Sequence, residues 1–89
     1  MKPELYTRIA LTRNVSEDNL KQGDLAWVIE YVEHPEGGEE GALLEIFNAL
    51  GESLRIATVP VSAIAALRPD QVPSVRELAI AGYSERKLI

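Results

Sequence analysis

Eighty-nine residues make one small domain, which buries roughly 60–65% of its chain surface on folding. A 46% hydrophobic and 26% charged composition is that of a folded domain rather than a disordered chain. Cysteine is absent and His34 is the single histidine. Disulfides, thiolate-held metals and thiol catalysis are thereby excluded, and little room is left for a histidine metal site or a Ser-His-Asp triad. No run approaches eighteen apolar residues, and residues 1–6 lack the apolar stretch of a signal peptide, so the cytoplasm is the expected location and no membrane contact is expected.

The net charge is −5, from nine Lys and Arg against fourteen Asp and Glu. From Glu30 to Glu45 stand six glutamates and no Lys or Arg. Such a surface repels phosphate backbones, so no nucleic acid is expected as a partner. Basic proteins are the electrostatically natural partners; charge kept merely for solubility is the plainer explanation.

In chain order, residues 6–12 alternate as a short strand with Ile9 and Leu11 inward. Residues 14–19 are polar and turn-rich and lead to Leu20-Lys21-Gln22-Gly23-Asp24, where Gly23 supplies a positive φ and Asp24 can accept from nearby backbone amides. Residues 25–33 form the strongest strand, and residues 34–41, with Pro35, Gly37, Gly38 and Gly41, form a loop no strand can cross. Residues 42–48 return as a third strand. A turn with Gly51 at its tip follows, then a fourth strand over 53–59 ending at Pro60. Residues 61–67 predict one helical turn leading into a brief closing strand near 66–68. The tail differs in kind: Ser74 and Glu77 have capping-box spacing, Leu78 to Ala81 continue a helix, and Gly82 is its stop. Two turns of helix need something to dock on. The expected fold is all-β: a small five-stranded SH3-like barrel over residues 1–69, with a short C-terminal α-helix in a tail, 70–89, docked on the barrel or on a neighbouring subunit. An open curled sheet covered by that helix is the alternative.

Several segments resemble a bacterial family: Leu5-Tyr6-Thr7-Arg8-Ile9-Ala10-Leu11-Thr12-Arg13, Leu20-Lys21-Gln22-Gly23-Asp24, Leu44-Glu45-Ile46-Phe47-Asn48, Gly51-Glu52-Ser53-Leu54 and Thr58-Val59-Pro60. The family is that catalogued as domain of unknown function 4926, and the resemblance spans residues 5–69. It implies an SH3-like barrel and no catalytic residues. The chain departs from the family pattern at Ala26-Trp27-Val28, around Ala65-Ala66, and in the helix after Pro73.

Strict alternation along the second strand places Ala26, Val28, Glu30 and Val32 on one face and Leu25, Trp27, Ile29 and Tyr31 on the other. The resemblance implies that the Ala26 and Val28 face lines the barrel. Trp27, Ile29 and Tyr31, joined by Leu78, Ile80 and Tyr83 of the tail, are then the expected partner-binding residues. The competing expectations are that the strand bends and buries part of each face, that the tail covers the patch, or that the patch joins copies of the chain. His34, Glu36, Glu39 and Glu40 match no metal-ligand spacing, the Gly37-Gly38 loop lacks the lysine of a phosphate cradle, and no buried carboxylate pair is evident. No enzyme, metal or cofactor is expected. The expected function is a non-catalytic protein-interaction module. Alternatives are a structural homo-oligomer formed through the tail, an antitoxin- or immunity-type neutraliser of a basic partner, and, against the charge, a nucleic-acid module.

Overall fold

A computed structural model describes residues 2–78. Five strands, β1 (Thr7–Leu11), β2 (Leu25–Val32), β3 (Gly41–Phe47), β4 (Ser53–Pro60) and β5 (Ile64–Ala66), form one antiparallel sheet in the order β4-β3-β2-β1-β5. The protein is all-β. Each strand lies within about two residues of its predicted place, because its apolar residues alternate. Ile9 and Leu11 of β1, Ala26 and Val28 of β2, and Ala42, Leu44 and Ile46 of β3 are all buried, as the two-residue period requires. Gly23 and Gly51 take the positive φ of their turns, 94° and 87°. The single turn before the closing strand is a 3-10 turn, Val61–Ala63.

Cross-strand rows build the core. Ile9 lies opposite Ala26 and Ala26 opposite Ile46; Val28 pairs with Leu44, and Leu44 with Ala57. Leu11 faces Ile64 on the β5 side. Each fully buried Ile or Leu contributes about 1.5–3 kcal/mol of transfer free energy.

The two ends of the core are closed differently. At one end Tyr31, Ala42 and Val59 form the last inner row, and the Tyr31 hydroxyl donates to the Pro3 carbonyl at 2.6 Å. There Lys2 lies 4.4 Å from the Tyr31 ring centre and pairs with Glu40 at 2.9 Å. At the other end the polar stretch 14–19, expected only as a turn, holds a second 3-10 turn, Ser16–Asp18, pinched by a bridge between Val15 and Leu20. Both of those residues are buried. Arg55 follows Ile46 in its inner row and spans this end, donating to the Asp18 carbonyl and pairing with the Asp18 carboxylate at 3.5 Å.

Two expectations are corrected. The pairing of β2 with β3 shifts register between Val28 and Glu30, so Ile29 is an extra residue, a β-bulge. Beyond it the faces exchange: Tyr31 lies opposite buried Ala42 and packs on the core, while Glu30 turns outward. The second correction concerns the tail. Residues 74–78, where the capping box should open a helix, have no helical structure. Arg76 instead gives its side chain to Asp24 and the Asn19 carbonyl, contacts that outweigh the weak local preference of a two-turn helix. The rest of the expected helix, with Ile80 and Tyr83, lies outside the described residues.

Candidate interaction surface

The outer face of the sheet carries a row across four strands. Arg8 of β1 lies opposite Trp27 of β2, Trp27 opposite Glu45 of β3, and Glu45 opposite Ile56 of β4. Period-two alternation sends these four outward because their neighbours Ile9, Ala26, Val28, Leu44, Ile46 and Ala57 are buried. Trp27 remains 38% exposed and Ile56 49%. The Trp27 ring meets Phe47, also on β3, at 6.3 Å between centres and a tilt of 51°, a geometry aromatic pairs favour. The Arg8 guanidinium lies 6.0 Å from the centre of the Trp27 ring, within cation–π reach.

This strip continues past Arg8 into a groove between the sheet and the tail, lined by Ala10 and Leu25 on one side and by Val72 and Pro73 on the other. Arg68 pairs with Asp70, two residues on, at 3.1 Å. That pair is exposed and worth little, though it holds the Asp70 carboxyl below its usual pKa.

The expected contact residues therefore separate into three groups. Trp27 is exposed as expected. Ile29 is half-buried at the bulge, and Tyr31 is spent on closing the core. Leu78 packs against the core cluster rather than extending the Trp27 strip. Phe47, which meets the Trp27 ring, and Ile56, which lies beyond Glu45 in the same row, were not among the expected residues; an outward parity count along β3 and β4 would have found both.

The hairpin-tip carboxylates serve the fold. Glu39 accepts from the Ser62 amide at 2.7 Å. Hydrogen bonding from Ser62, first the hydroxyl and then the backbone, holds its pKa below the ordinary value, with Arg13 adding to the effect. Glu40 pairs with Lys2, and His34 accepts from the Glu36 amide through Nδ1 at 3.1 Å. Among the described residues no cluster of three or more histidines and carboxylates could hold a metal, and no helix is long and apolar enough to cross a membrane. The arrangement offers an aromatic anchor, a cation beside it and an apolar groove, which together suit contact with another protein. Comparison with protein-family models, curated proteins and solved structures finds no match to this chain.

Proposed function

We propose that this chain is a non-catalytic protein-interaction module on an SH3-like barrel, related to the family catalogued as domain of unknown function 4926. The strand order, with β1 between β2 and β5, the 3-10 turn leading into β5 and the bulge that bends β2 support the barrel. One observation carries the function: Trp27 and Phe47 lie paired on the outer face, with Trp27 38% exposed. Exposed aromatic pairs on a rigid sheet bring large contact area with little loss of side-chain freedom on binding. The net charge of −5 favours a basic protein as partner, by steering and by discrimination.

The test is affinity capture from the native host's lysate with nuclease present, using the wild-type chain and Trp27→Ala. The variant is expected to keep its β-sheet circular dichroism, losing about 1 kcal/mol with the Phe47 pair, and to lose a protein captured in stoichiometric amount by the wild type. A folded Trp27→Ala chain that captures the same proteins in the same amounts removes this surface from the function.

A further inference from the structure

Asp24 ends the turn that opens β2, and its carboxylate is used on both oxygens. Oδ2 accepts from the Lys21 amide at 2.8 Å. Arg76, 52 residues on, donates through Nε to Oδ1 at 2.9 Å and through Nη2 to Oδ2 at 2.5 Å. The same Nη2 donates to the Asn19 carbonyl at 3.0 Å. Asn19 caps the Ser16–Asp18 turn in the left-handed region, with φ 59°. Planar guanidinium against carboxylate, with a carbonyl to one side, is a geometry only arginine satisfies; an ammonium has no fork. Two residues beyond Arg76, Leu78 packs against the core cluster.

The chain between these anchors and β5 is held lightly. Residues 68–75 are exposed and without regular structure save the Arg68–Gln71 turn and the exposed Arg68–Asp70 pair. A charged fork in one site and an aliphatic side chain beside the core, two positions apart, is how a receptor grips an extended peptide. Nothing in either contact depends on the covalent link through residues 67–75.

We propose that the Asp24 site is a docking site for an extended protein segment bearing an arginine followed two positions later by an aliphatic residue, and that residues 76–78 are its occupant in cis. The tether gives the chain's own tail an effective concentration near the millimolar range, so an incoming segment binds only in proportion to the fraction of open tail. Carboxylate and carbonyl acceptors at the site turn away phosphate and select a cationic side chain. The site shares no residue with the Trp27 surface, and either assignment stands if the other fails.

The experiment is an NMR titration of the isotope-labelled full chain carrying Arg76→Ala, with a nine-residue peptide of the sequence of residues 70–78. Arg76 lies outside the buried cluster, so the variant is expected to keep a dispersed spectrum. The Asn19, Lys21 and Asp24 amides should shift saturably. The same peptide with alanine in place of its arginine should act at least tenfold more weakly, and so should the intact peptide on the wild-type chain, whose site is occupied. If Arg76→Ala loses its fold, Arg76→Lys keeps the charge without the fork, and the peptide should still displace its tail more readily than the wild-type tail. Equal responses to the two peptides, or none from either variant, would overturn the proposal. A wild-type mass in light scattering that climbs to a dimer with concentration would overturn the cis assignment, because the tail would then pass between copies.

Discussion

Tyr31 shows how one residue can be of the right type for a binding anchor and yet belong to the fold. Its ring sits over the last inner row, its hydroxyl donates to Pro3, and Lys2 bridges its ring and Glu40. Burial raises the pKa of the phenol above its ordinary value of 10.0, Lys2 opposes the shift and Glu40 adds to it. An acid whose pKa is raised on folding contributes stability that is complete below the unfolded value and is lost as pH rises through the folded one. The wild-type chain should therefore exceed Tyr31→Phe in urea unfolding by about 1 kcal/mol at neutral pH. That margin should shrink only as pH rises past the ordinary phenol value of 10.0 and through the raised folded value; a constant margin would mean that the hydroxyl is solvated. Glu39 works in the opposite sense: its lowered pKa makes its contribution complete at neutral pH and lost in acid. Trp27 was legible from strand parity alone, since it precedes the bulge. Tyr31 was not, because Leu25–Val32 contains no glycine or proline to mark the residue at which parity breaks.

At the scale of elements, the turn between β3 and β4 is the most completely specified. Asn48 Oδ1 accepts from the amides of both Leu50 and Glu52 at 2.9 Å, while its own amide donates to the Glu52 carbonyl. The Asn48 side-chain amide reaches the Glu52 carboxylate at 2.9 Å, and Gly51 takes the left-handed step. Asn48→Ala leaves two backbone amides without their acceptor and should cost about 1–2 kcal/mol, with Asn48→Asp recovering only part of it because its second oxygen faces the Glu52 carboxylate; denaturant midpoints read both. Turns of this kind are legible because their chemistry is local, within four residues. The strands are legible for a related reason, since alternation needs only neighbours. The tail was misread because its capping box is also local, whereas the contacts that set its course join Arg76 to Asp24 across 52 residues. The Ser16–Asp18 stretch was legible as a turn but not as a plug for the core: its apolar anchors Val15 and Leu20 are both buried, yet the four polar or charged residues between them mask the signal.

Over the whole molecule, the sheet has three interior strands, β3, β2 and β1, and two unequal margins, β4 and β5. β5 pairs with β1 at only three positions, from Leu11 opposite Ile64 to Ile9 opposite Ala66. Because the pair is antiparallel, the chain enters β1 at the same end at which it leaves β5. A load applied between the two flanks therefore meets these pairs one after another, as a zipper, and never all at once in shear. Single-molecule pulling should show the Arg76 clasp give first, β5 peel next at low force, and the β2–β3–β4 meander yield last; one rupture of the whole sheet would contradict this order. The sheet is thus held by long ladders at its centre and by three pairs at its β5 margin, which leaves it soft to traction there, a structure suited to being drawn open through its own tail.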